Sequence, residues 1–222
     1  MKTFFYSITI LALVSIAYAG FSQTVNWRSL QPAEKHILNI NTGWDYSTTF
    51  GIAYGRSLQT KMPVIIGGEF SIPAGHELVD DLKTKIGAQA EVFTVRSFSA
   101  TLKVQGIFRR FESQYVRLAN FGSELSTALG YYRPRWYAAA EFGFDKSIIT
   151  HFKHGGAMKE YYPEIQDGWY IPTGGNFFYG LQVGYSLKNY DMYLKGGQTV
   201  AQDFKTTAAI PFFLNVGFNK RF

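Results

Sequence analysis

Across 222 residues the chain carries no cysteine, 22 lysines and arginines against 16 aspartates and glutamates, and 18% aromatic residues, among them 20 phenylalanines and 15 tyrosines. The lack of cysteine excludes a disulfide framework, a thiolate metal site and a lipidated N-terminal cysteine. The formal charge of +6 is spread without a basic cluster or basic helix, which argues against nucleic acid as a partner and for solvated turns or anionic lipid headgroups.

Residues 1–19 have the layout of a secretory signal: Lys2 gives a positive start, Phe4 to Ile16 an apolar stretch, and Ala17-Tyr18-Ala19 a small-residue cleavage site before Gly20. The apolar stretch is short for a membrane-spanning helix of ~20 residues, and no later segment is long and apolar enough to span as one. Residues 20–36, with Trp27, Pro32 and alternating charge, are too few for a separate folded domain. They are expected to form a periplasmic tail, a plug entering the fold of residues 37–222, or a contact for another subunit.

From residue 37 onward the apolar residues recur with period 2. Runs bounded by Gly, Pro, Asn, Asp or Ser give ten expected strands, at about 37–46, 49–58, 63–72, 84–95, 98–110, 116–131, 135–147, 176–188, 190–200 and 212–222. One face of each is apolar: Leu38, Ile40 and Trp44 on the first, Leu125 and Leu129 on the sixth, and Phe212, Leu214, Val216 and Phe218 on the last. The opposite face carries Asn, Gly, Ser and Gln, and a mean hydropathy of −0.08 at 46% hydrophobic residues is what such two-faced strands average to. Val116 and Leu118 fall out of phase with the rest of the sixth strand, which predicts a bulge near Asn120.

Glu69, Glu91, Lys103, Glu124, Glu141 and Lys195, the mid-strand charges, all fall on the polar face. An Arg or Lys turned to lipid at the bilayer centre would cost ~2–4 kcal/mol, so this registration has a physical basis. The connections after the second, fourth, sixth and eighth strands are short, whereas residues 73–83, 148–175 and 201–208 form long ones. The fold expected is all-β: a membrane-spanning antiparallel up-and-down barrel of ten strands over residues 37–222, with eight or twelve as alternatives.

The signal segment, the alternating strands and the terminal Phe222 resemble a small outer-membrane β-barrel protein of Gram-negative bacteria, with a Tyr-rich style similar to barrels of the Bacteroidota. The resemblance covers nearly all of residues 20–222. It implies a place in the bacterial outer membrane, a lipid bilayer and lipopolysaccharide around the barrel, and recognition of Phe218 and Phe222 by the barrel-assembly machinery. It implies no catalytic motif and no cofactor.

Ten strands close into a cylinder roughly 20 Å across, which side chains largely fill. The inward charges, with Gln89, Gln105 and Gln182, are expected to form a polar network; four acids against two bases also suggest a narrow channel preferring cations. The long loop 148–175 holds Tyr161, Tyr162, Trp169 and Tyr170, expected either to cap the barrel mouth or to anchor a partner such as another outer-membrane protein.

A rim hydrolase is a third reading. Asp80 and Asp81 facing His151 or His154 would resemble an omptin-type protease, but its local motifs are missing. A lipid A deacylase uses a serine two residues after its histidine. Here Lys153 and Gly156 occupy those positions, so the nucleophile is lacking. No catalytic residue is assigned. His76, His151 and His154, with Glu77 and Asp80 nearby, are weak candidates for metal ligands, and no metal site is assigned from them. The function expected is a structural or partner-binding component of the outer membrane.

Overall fold

The computed structural model describes residues 24–45, 47–74, 80–205, 208 and 210–222. The signal segment 1–19 and His76 lie outside them. The strands are β1 His36–Trp44, β2 Thr48–Leu58, β3 Val64–Pro73, β4 Asp81–Val95, β5 Phe98–Glu112, β6 Val116–Tyr132 and β7 Trp136–His154. A short helix α1, Gly156–Tyr161, and a three-residue strand β8, Gly168–Tyr170, precede β9 Gly175–Leu187, β10 Tyr190–Ala201 and β11 Phe212–Arg221.

Each strand from β2 to β7 pairs antiparallel with its predecessor, β7 pairs with β9, β9 with β10 and β10 with β11. β11 then returns to β1, with Ile37 opposite Arg221 and Trp44 opposite Leu214, closing a ring of ten. β8 stands outside the ring, paired with Thr150–Phe152 of β7. One end of the barrel carries the short turns 59–63, 96–97, 133–135 and 188–189 together with both ends of the ring; the other carries the longer loops. We refer to these as the short-turn end and the long-loop end.

The apolar parity faces outward all round. Ile40, Phe50, Ile52, Leu125, Leu181, Met192 and Leu214 are each at least half exposed, where a water-soluble fold would bury them. Closure leaves the ring of ten without an unpaired strand edge, and its continuous apolar exterior suits a hydrocarbon surrounding.

The bulge foreseen on β6 belongs to β7. Phe121 faces Ile149 and Gly122 faces Ser147, so the inserted residue is Ile148. Val116 and Leu118 do not break phase; Leu118 sits between Phe111 and Phe152 on the inner side of strands that run past the apolar belt, where an inward apolar row is tolerated. A second irregularity between Glu91 and Phe93 turns Val92 and Phe93 out together.

The short-turn half of the interior is an apolar core within the barrel, combining Val25 and Trp27 with Ile37, Ile65, Tyr132, Tyr137 and Tyr193. Two tyrosines lie against glycines of the adjacent strand. A Cβ added to Gly184 would stand 2.2 Å from the Tyr137 ring, and one on Gly217 would stand 2.2 Å from that of Tyr193. Only glycine leaves room for a buried ring across the pleat at these two places.

Candidate functional site

Inward charges from five strands join into one chain of alternating sign. Lys85 Nζ of β4 lies 3.0 Å from Glu124 of β6, and Lys103 of β5 reaches Glu124 at 3.5 Å and Glu141 of β7 at 3.3 Å. Lys195 of β10 crosses β9 to meet Glu141 at 2.7 Å. Glycine at position 180, opposite Glu141 on β9, leaves the path clear. The Lys195 ammonium also stands 5.5 Å from the Phe213 ring centre and 5.9 Å from that of Phe178.

The two other acids named from the sequence are held separately. Glu69 accepts a hydrogen bond from Asn41 at 3.3 Å. Glu91 accepts one from Ser99 at 2.5 Å and lies 3.6 Å from Arg28. Amides connect these regions: Asn215 donates to Asn41, Asn41 to Asn39, Asn39 to Asn219, and Asn219 to the Thr24 carbonyl.

Thr24 belongs to a segment that enters the ring from the short-turn end. Thr24, Val25, Asn26 and Trp27 are all buried. Asn26 donates to the Arg133 carbonyl and to Ser186, each at 2.9 Å, and Arg28 donates to Thr94 and Ser99. The segment is clasped by Arg221, fully buried near the end of β11. Its guanidinium donates to the Ser29 and Lys188 carbonyls and faces Glu34 at 2.8 Å and Asp191 at 3.3 Å.

Around Val25 and Trp27 only a void of about 20 Å³ remains. On the other side of Thr24 the lumen widens into a cup of about 570 Å³, lined by Trp44, Asp45, Glu69, Lys85, Glu124, Tyr193 and Lys195 among others. A lobe of about 360 Å³ continues from it beside Arg109, Asp145 and Lys146. The acid excess behind the expected cation preference is not met in the cup, where Asp45, Glu69, Glu124 and Asp145 stand with Lys83, Lys85, Arg109 and Lys195. Lys85, unnoticed in the sequence although its parity is inward, joins Lys103 and Lys195; beyond them Lys83 pairs with Asp45 and Arg109 with Asp81. The cup is of mixed charge.

The loop 148–175 is partly ordered by β7 itself, which runs on to His154. Trp169 lies 4.8 Å from His151 and 6.4 Å from Phe121, and Tyr170 lies 5.5 Å from Phe152, ring centre to ring centre. Tyr161 and Tyr162 are exposed at the end of α1. Asp167 ties the loop: it accepts from the His154 backbone N–H at 2.8 Å and from Lys159 at 2.6 Å, and contacts His154 Nδ1 at 3.0 Å. The backbone bond from His154, then the Lys159 ammonium, hold its carboxyl well below the usual carboxylate range. With the folded value depressed, this tie contributes stability above the ordinary aspartate range and loses it as pH falls through the folded value. D167N is therefore expected to make residues 155–167 markedly more sensitive to limited proteolysis at pH 7, while the wild-type loop keeps its resistance down to about pH 4; equal cleavage of the two proteins at pH 7 would contradict the tie.

Of the acids and histidines considered for a protease, Asp81 binds Arg109, His154 binds Asp167 and His151 packs on Trp169. Among the described residues, no three of His, Asp and Glu converge on a metal-sized site. At the seam, Phe222 exchanges two 2.9 Å backbone hydrogen bonds with His36 and stacks on its ring, and Phe218 stacks on Tyr190.

A closed antiparallel ring of ten strands, apolar outside and ion-paired within, makes the chain a β-barrel membrane protein. Among solved structures it is similar to the KdgM porin in complex with disordered oligogalacturonate, at 10% identity and a TM-score of 0.44 over 84% of this chain and 99% of that one. It is also similar to a second structure of the KdgM porin, at 10% identity and a TM-score of 0.42 over the same shares of the two chains. No family model and no curated protein matches the sequence.

Proposed function

We propose that this barrel sits in a bacterial outer membrane with its long-loop end outward, and that it takes a small polar solute into the cup while the N-terminal segment closes the path beyond. The observation that carries the reading is the cup of about 570 Å³, floored at Thr24 by a packed segment. A lining of alternating cations and anions with aromatic rings suits a solute bearing both charges or many hydroxyls. In planar bilayers the wild type is expected to be nearly silent and N26A/W27A to open in reproducible steps with weak selectivity between cations and anions. Wild-type steps unaltered by the double replacement would refute the closed floor, and strong cation selectivity would restore the acidic conduit.

A second reading, a partner-binding surface on the loop, is supported by the exposure of Tyr161 and Tyr162. It requires a stoichiometric partner to co-purify with the wild type and be lost from Y161A/Y162A. We further propose that lipopolysaccharide surrounds the outer rim, and that Phe218 and Phe222 at the seam are read by the barrel-assembly machinery.

A further inference from the structure

The positive charge is not evenly distributed. At the long-loop end most cations meet acids, as in Lys83 with Asp45, Arg109 with Asp81, Arg110 and Arg117 with Glu112, and Lys159 with Asp167, and where Lys146 and Lys153 are exposed without an ion pair the same end also exposes Glu160 and Glu164. At the short-turn end the pattern differs. The turns carry Lys61, Arg96, Arg133, Arg135 and Lys188, all exposed, and the adjoining strand ends add exposed Arg56 and Lys220. The acids of this end turn inward instead: Glu34 and Asp191 to Arg221, Glu91 to Ser99 and Arg28. Among the described residues no ion pair joins the exposed cations to a carboxylate.

These cations border the lipid-facing surface. Arg56 continues the outward row Phe50, Ile52, Tyr54, and Lys220 continues the row ending in Phe218. Arg133 Nε donates to the Tyr131 hydroxyl at 2.8 Å with its guanidinium 5.2 Å from that ring, and Tyr131 packs between Phe98 and Trp136. Lys220 stands 5.9 Å from the Tyr190 ring, which stacks on Phe218. Aromatics of this kind mark the level where hydrocarbon meets headgroups, so the cations just beyond them lie at headgroup depth.

Backbone geometry adds an independent observation. Arg96 and Lys188 occupy the first position of two-residue hairpin turns with φ of 55° and 53°. Glycine enters that conformation freely, and a residue with a side chain does so at a cost. Both turns nevertheless present a cation.

We propose that the short-turn end is a collar for anionic glycerophospholipid headgroups, its basic side chains gripping phosphates of the adjoining leaflet while the aromatic rings beneath them contact the acyl region. A soluble acidic polymer would meet the same charge, but the outward direction of Arg56, Arg133 and Lys220 and their seating on lipid-facing rings favour lipid. The collar does not depend on what the cup admits.

The test uses the purified full chain in mixed micelles holding equal amounts of phosphatidylglycerol and phosphatidylcholine, with retained lipid measured by mass spectrometry after washing. The wild type is expected to retain phosphatidylglycerol on the order of tenfold over phosphatidylcholine at low salt, with the preference shrinking as salt rises. R56Q/R133Q/R135Q/K220Q is expected to lose most of that preference while keeping its β-sheet spectrum. R96G/K188G is expected to lose part of it while resisting denaturant at least as well as the wild type, because the turns are relieved. Equal retention of the two lipids by the wild type, or an unchanged preference in the quadruple variant, would overturn the collar. So would tight binding of soluble polyaspartate to the wild type in neutral nanodiscs that the quadruple variant loses, which would assign the charge to an acidic polymer.

Discussion

Replacing Glu141 by alanine is expected to destabilise the barrel by about 3 kcal/mol, because it leaves the buried Lys103 ammonium and the partly buried Lys195 ammonium at the cup without their shared carboxylate. Glu141 lies between Lys103 and Lys195, at 3.3 and 2.7 Å, and is 3% exposed. Once it is gone, among the described residues Lys103 keeps its ion pair with Glu124, and Lys195 keeps the faces of Phe178 and Phe213 and a more distant Glu124. Urea unfolding in detergent micelles, followed by tryptophan fluorescence, should show the midpoint fall. K103M/E141L/K195M supplies the contrast. Removing the charges together leaves nothing unpaired except a looser hold on Glu124, and it should recover much of the loss. An unchanged midpoint for E141A would mean that water already reaches the lysines and that the ladder is not a buried network.

Arg221→Leu is expected to cost a similar amount, about 3–5 kcal/mol, and to act in a second place as well. It strips Asp191 and Glu34 of their cation and leaves the Ser29 and Lys188 carbonyls without a donor. The N-terminal segment then loses its clasp, so protease added from the short-turn side should cut near residues 24–35 in the variant and not in the wild type. Lysine at 221 should rescue little, because one ammonium cannot reproduce a planar guanidinium that serves two carbonyls and two carboxylates at once. A variant with R221L that resists both urea and protease would show that the segment is held by Val25 and Trp27 alone.

Period-2 patterning carries most of the fold, since a strand half in lipid and half in a polar lumen must alternate along its whole length. The ten strands of the ring, the inward phase of the six charges and the outward phase of Leu38 through Phe218 are readable in that way, while the run of β7 from residue 148 to His154 is not and reads as loop. The partners of the charges were not. Lys195 meets Glu141 across an intervening strand, and that meeting depends on the stagger of β7, β9 and β10 and on a glycine between them, none of which is contained in one strand's pattern. Lys85 had inward parity but lies near the edge of its expected strand, where a charge reads as solvated. Arg221 had the same parity at the chain's end, and its partners come from residues 29–34, where there is no periodicity to read. The apparent phase conflict at Val116 and Leu118 points to a bulge on β6, whereas the extra residue is Ile148 of β7, because the inner surface above the belt can be apolar too.

Unequal strand lengths give the mouth of the barrel a direction. β9 leaves β7 at Lys146, while β7 continues to His154 beside β6, and β5 runs to Glu112. At ~3.3 Å per residue that continuation makes a screen about 25 Å long on one side only, tilted with the strands. This wall stands over β5–β7, and for the solute uptake proposed above its inner row of Phe111, Leu118 and Phe152 would give one flank of the cup an apolar approach that the described strands β1–β3 and β9–β11 do not continue.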